Sequence, residues 1–192
     1  MLFSVDHAEL VRTVGEDNVH RLSGDVAQAY GFDGATAEFL TEIGIPGDEE
    51  LELFFGLGPE FDPDRFCSSA ELKELGWKVG EEVDGWVRLG NFPVNMVAVD
   101  PRTGTVHQFT EGPMTALAIH GDLSSFARTV ASLAAYVQSQ VDAEERADAA
   151  HESRDADVRR IVEDIRARDP LPFENRRSEW HELFENLAAG TY

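Results

Sequence analysis

Hydrophobic and polar positions change period along this chain, and the changes divide it into elements. Val94, Met96, Val97 and Val99 crowd into one short apolar run, the signature of a strand. Asp100-Pro101-Arg102-Thr103-Gly104 then supplies turn chemistry, and Thr105 to Phe109 alternates again, so the stretch predicts a hairpin. Thr115 to Ile119 adds a further strand. Beyond it the period lengthens: Phe126, Val130, Leu133, Ala134 and Val137 recur at helical spacing behind Asp122 or Ser124 as cap. That helix carries one apolar face, suited to covering a sheet.

Upstream, Asp6 to Val14 predicts a helix with Leu10, Val11 and Val14 on one side and Gly15 as its stop. A second helix is expected over Asp33 to Ile43, burying Phe39, Leu40 and Ile43 and halted by Gly44 and Pro46. Leu51 to Phe55 reads as a strand broken by Gly56, Gly58 and Pro59. Residues 60–80 read as an irregular loop with a turn of helix over 70–75, and the sheet proper is expected to start at Val83. Downstream, 138–156 has almost no large apolar side chain, which fits an exposed helix held by Glu/Arg pairs or a connector. Apolar spacing returns at Val158, Ile161, Val162 and Ile165. Asp169-Pro170-Leu171-Pro172 enforces a break, and a last helix carries Trp180, Leu183, Phe184 and Leu187 on one face. The fold class is therefore α+β: over 1–140, a largely antiparallel sheet with helices packed on one side. A helical extension over 141–192 is expected to fold back on the same body, because its apolar stripes need cover.

Composition narrows the class. A chain of 192 residues with 42% hydrophobic content can build one real core. Its formal charge of −21, from 37 acidic against 16 basic side chains, opposes contact with nucleic-acid phosphates or an anionic membrane and attracts a basic protein. The excess lies mainly before Val141. The lone Cys67 excludes an intramolecular disulfide and a multi-cysteine zinc site. The first residues lack the basic and long apolar regions of a signal peptide, and no run of about 18 apolar residues marks a membrane helix. These features predict a cytoplasmic protein.

Catalytic and cofactor motifs are missing. Neither a phosphate loop, a Gly-x-Ser-x-Gly elbow nor a His-Glu-x-x-His zinc site occurs, and no metal or cofactor is expected. Gly56-Leu57-Gly58-Pro59-Glu60 reads as a turn, and Asp62-Pro63-Asp64 lacks the rest of a calcium loop. His107 and His120 fall on predicted strand ends and can approach one another in the sheet, but two donors do not make a ligand set. Cys67 has no basic neighbour nearer than Arg65 to activate it. More informative are two acidic clusters: Asp48, Glu49, Glu50 and Glu52 precede one predicted strand, and Glu81, Glu82 and Asp84 precede the Trp86 strand. If those strands are neighbours, the clusters share one rim. With Trp77 and Phe92 as apolar anchors, such a rim suits a basic groove on a partner.

Gly44-Ile45-Pro46, Trp86 to Gly90, Val99-Asp100 with Thr103-Gly104-Thr105-Val106, Asp122 to Ala127, and Asp169-Pro170 followed by Trp180 form an ordered set. In this order they resemble the motifs of the SUKH superfamily of bacterial immunity proteins, most nearly its fourth family. The resemblance spans most of the chain. It implies an α+β fold and a non-enzymatic, binding role: neutralising a cognate toxin of the nuclease or nucleic-acid deaminase class. The alternative it leaves open is an intracellular scaffold or regulatory module that uses the same sheet to bind other proteins.

Overall fold

The structure, a computed structural model, describes residues 1–145 and 154–190. The middle of the stretch expected to be an exposed helix or connector therefore lies outside the described residues, while its two ends are helical. The chain is α+β. Its main sheet is a meander of five antiparallel strands that follow one another in sequence: β3 (Phe54–Phe55), β4 (Val87–Asn91), β5 (Met96–Val99), β6 (Val106–Thr110) and β7 (Thr115–His120). The turn between β5 and β6 is built as its residues dictate. The Asp100 carboxylate accepts from the Arg102 amide at 3.0 Å and the Thr103 hydroxyl at 3.2 Å, and Gly104 takes a φ of 76°. Val94 is not in the strand as expected; it sits exposed in the preceding turn, closed by the Phe92 amide donating to the Asn95 carbonyl.

β4 also starts later than Val83, because Glu81–Val83 forms a 3-10 turn first. A bulge between Arg88 and Gly90 interrupts its pairing with β5. Gly90 takes a φ of 148° there, and its α-carbon lies so close to β3 that a β-carbon would fall on the Phe54 carbonyl oxygen. Only glycine fits that approach.

The two sheet faces are covered differently. On one, α5 (Leu123–Glu145) lays Phe126, Val130, Leu133 and Ala134 over Val87, Leu89, Val97 and Val99 in the main core. Asp122 caps this helix, its carboxylate accepting the Ser125 amide at 2.9 Å. Completing this layer are α1 (His7–Val14), capped by Asp6, α2 (Gly24–Ala29), capped by Ser23, and α3 (Gly34–Glu38), which runs on as a π turn to Ile43. A small sheet of β1 (Val19–His20) and β2 (Ile45–Pro46) links them. The other face is not open to solvent. A smaller core of Cys67, Leu72, Val79, Val83, Trp86, Ala98 and Phe109 covers it, brought by the loop around α4 (Ser69–Glu74). Helices on one side alone were expected; a loop supplies the second layer because Trp86 and Phe109 need burial too.

The C-terminal helices α6 (Arg154–Arg166), α7 (Leu171–Glu174) and α8 (Glu179–Ala189) share the main core. Trp180 is 0% exposed and meets Phe92 edge-on at 4.9 Å between ring centroids, with His120 and Phe126 beside it. Gln108, fully buried on β6, fastens α8: its amide oxygen accepts the Glu179 N–H and its nitrogen donates to the Arg177 carbonyl, each at 2.9 Å. A buried amide with both ends satisfied stabilises the junction instead of weakening it.

Candidate functional site

The first acidic cluster is the tip of a hairpin. Asp48 and Leu53 exchange backbone hydrogen bonds at 2.9 and 2.8 Å, the Asp48 carboxylate accepts the Glu50 and Leu51 amides at 3.1 Å, and Glu52 takes a φ of 56°. The strand expected over Leu51 to Phe55 thus shrinks to Phe54–Phe55, because the aspartate stabilises a turn where the hydrophobic pattern suggested extension. Leu51 and Leu53 point inward, while Glu49, Glu50 and Glu52 are exposed.

The second cluster lies elsewhere. β3 and β4 are neighbours, but they pair antiparallel with Phe54 opposite Asn91, so their starts face opposite ends of the sheet. Residues of the two clusters are separated by at least the length of β4, roughly 13 Å. The single rim expected from sequence does not form. Glu81 and Glu82 are exposed beside the β5–β6 turn, where Arg102 donates to the Glu82 carbonyl at 2.8 Å. Asp84 is engaged locally: it accepts the Ser69 amide at 2.5 Å and the Ser69 hydroxyl at 3.0 Å, which hold its carboxyl below the usual range. Trp77 is half-buried on the outer face, edge-on to Phe109 at 5.5 Å. Phe92 is 0% exposed. It was expected as a surface anchor and is instead a core residue, because α8 delivers Trp180 onto it.

His107 and His120 do not approach as a pair. β6 and β7 put Val106, not His107, opposite His120. His107 stacks on Trp86 at 3.9 Å on the outer face, and His120 lies in the main core against Phe126 and Trp180. Among the described residues no group of three or more His, Cys, Asp or Glu could hold a metal ion. His120 does sit near a serine and an aspartate, with Ser125 Oγ at 2.9 Å and Asp169 Oδ2 at 3.8 Å. Both oxygens face the same nitrogen, Nδ1, and all three residues are buried. A relay needs the base between nucleophile and acid, one on each ring nitrogen, with the nucleophile accessible; this cluster is structural. Burial pushes the Cys67 thiol up to about 11, so it stays protonated at neutral pH.

Burial holds His120 well below the usual histidine value, lowers His107 to about 4 and lowers His20 as well. Unfolding releases these rings to their ordinary value of about 6.5. Below that pH the unfolded chain binds more protons than the folded one, so stability present at neutral pH is lost as pH falls. The slope is about 1.4 kcal/mol per pH unit for each fully shifted ring. Urea unfolding between about pH 7 and pH 5 is expected to show it, and His107→Phe, which keeps the stack on Trp86, should remove about one proton's share. An unchanged slope in that variant would mean that His107 titrates normally in the fold.

Beside the acidic hairpin opens a cleft of about 520 Å3, lined by Asp17, His20, Asp48, Glu49, Phe54 and Arg65 with glycines at its floor. On the hairpin's other flank a hollow of about 320 Å3 runs between Glu49 and Glu50 and the exposed end of α5 at Val141. Sequence reasoning identified the acids here but missed Asp17 and Phe54. Phe54, 48% exposed, shares the outward side of the Leu51, Leu53, Phe55 alternation with Glu52, a sign that reading Phe54 and Phe55 as one apolar pair passes over.

No helix among the described residues is long and apolar enough to cross a membrane. No curated protein and no solved structure matches the chain. A family model described as SUKH-4 immunity protein matches residues 5–186. The match takes in the meander, the acidic hairpin and the C-terminal helices that complete the core, and the chain therefore belongs to the SUKH-4 family of immunity proteins.

Proposed function

We propose that this immunity protein binds a basic cognate toxin, of the nuclease or nucleic-acid deaminase class, and silences it by covering its substrate groove. The family match over residues 5–186 carries the reading, and the charge of −21 supports the class of partner. An enzyme that acts on nucleic acid needs a basic groove to hold phosphates. An acidic protein is attracted to the same groove and repelled by the substrate itself. The exposed acids Glu49, Glu50 and Glu52 at one end of the sheet and Glu81 and Glu82 at the other contribute to this steering field. In this reading the protein has no catalytic role and works in the cytoplasm, where such a toxin would act.

Co-expression with a candidate toxin domain of the nuclease or nucleic-acid deaminase class, taken from the same genome, tests the proposal. The wild-type protein is expected to restore growth and to form a stoichiometric complex. Its association rate should fall at least about tenfold from low to high salt, because long-range attraction sets the on-rate. A protein that neither rescues growth nor binds the toxin would end the reading. A complex whose association ignores salt would retain the immunity role but remove the basic-groove argument.

A further inference from the structure

We infer that the cleft beside the acidic hairpin receives an arginine or lysine side chain of the protein partner, with Phe54 packing against it. The inference rests on the proposed toxin-binding role and adds the surface and the chemistry of contact. The cleft is a built hollow. Gly47, Gly56, Gly58 and Gly90 line it. At Gly58 a β-carbon would meet nothing, so the hollow opens there, while at Gly47, Gly56 and Gly90 it would strike Phe55, the His20 ring and Phe54, so these glycines let the wall pack closely. Phe54 stands at its edge, 48% exposed, on a surface where large apolar side chains are otherwise few. An exposed aromatic next to a concave floor is the usual anchor of a protein interface.

Charge decides what enters. Asp17, Asp48 and Glu49 line the cleft, and among the described residues none of them is ion-paired. Among the described residues, Arg65 lines the cleft but is turned to neighbouring groups: its guanidinium donates to the Arg88 carbonyl at 3.3 Å and lies 3.9 Å from Asp62. Burial lowers the pKa of His20, with Glu49 opposing the shift, so its ring is a weaker competitor for the carboxylates than an open histidine would be. Asp48 is itself half-buried, so a cation placed against it is screened less than at an open surface. A guanidinium can satisfy such carboxylates through its fork of donors while its flat face lies on the Phe54 ring. The hollow on the hairpin's far flank leaves the tip as a ridge that a partner can straddle.

Two measurements on the full chain test this. In the first, the 15N-labelled protein is titrated with an oligo-arginine peptide. Amide shifts are expected to concentrate at Asp48, Glu49, Phe54 and Gly56, and shifts spread evenly over Glu81, Glu82 and the hairpin alike would overturn the inference. In the second, the candidate toxin domain of the co-expression test is bound to wild type and to the triple variant Asp48→Asn, Glu49→Gln, Phe54→Ala. Asparagine keeps the oxygen that accepts the Glu50 and Leu51 amides, so the hairpin survives, and native amide spectra outside the cleft verify it. The variant is expected to lose at least about tenfold in affinity, while Glu81→Gln with Glu82→Gln loses much less. Equal toxin binding by the triple variant and wild type would overturn the cleft while leaving the immunity role intact. A cleft that takes the peptide in a protein that ignores the toxin would sink the toxin role and support the cleft.

Discussion

Trp180→Ala is expected to lower the unfolding free energy by about 3–5 kcal/mol, the usual cost of deleting a large buried aromatic. The indole is 0% exposed and packs against Phe92, His120 and Phe126, so its loss opens a cavity lined by residues from β7, α5 and the β4–β5 turn. None of these can collapse into the gap without moving a backbone fastened elsewhere: Asp169 holds the Gly121 amide at 2.8 Å, and Gln108 holds α8. Since a domain of this kind has about 5–15 kcal/mol in total, the loss removes a large share of the stability and should lower the melting temperature by several degrees or more. Urea melts followed by far-UV circular dichroism measure the loss, and Trp180→Phe, which keeps most of the volume, should lose clearly less. A cost under about 1 kcal/mol would mean that α8 is a loosely attached helix and not part of the core.

The second large effect belongs to a backbone contact. Gly90→Ala should destabilise by about 3 kcal/mol and release β3 from the sheet, because the added methyl lands on the Phe54 carbonyl and the φ of 148° disfavours any side chain. Gly58→Ala is the matched control. It has open space and no unusual φ, so alanine there should be neutral or stabilising by up to about 1 kcal/mol. Hydrogen exchange at Phe54 and Gly56 reports the release, as the Gly56 amide donates to Leu89 at 2.8 Å. Were both alanine variants equally stable, the bulge would have to be able to flatten, and the close approach of β3 would not be required.

The elements that sequence revealed are those whose pattern is local. The Asp100–Gly104 turn, the apolar face of α5 and its Asp122 cap are each written within a few residues, and each folds accordingly. α2 and the β1–β2 pair escaped because a six-residue helix of under two turns and two-residue strands show no period. The strand expected at Leu51 failed on one side chain, Asp48, whose two hydrogen bonds to the following amides outweigh a hydrophobic run. Phe92 was misplaced for a different reason. What buries it is Trp180, far along the chain, and no local pattern encodes that meeting. The acidic residues were legible as exposed, but not their distribution, since whether two strand starts share an end depends on pairing direction. β3 and β4 are joined by the long connection 56–86, so no tight turn between them announces that they pair antiparallel, and the charges themselves do not show it.

The placement of Trp180 also bears on how the protein is made. The meander and α5 can form while synthesis continues, as α1, β2 and β7, against which α5 packs, all precede it in the chain, but the core between Phe92, His120 and Phe126 stays unfilled until residue 180 has left the ribosome. Chains cut short by a stalled ribosome or a premature stop before that point expose this aromatic patch and go to proteases.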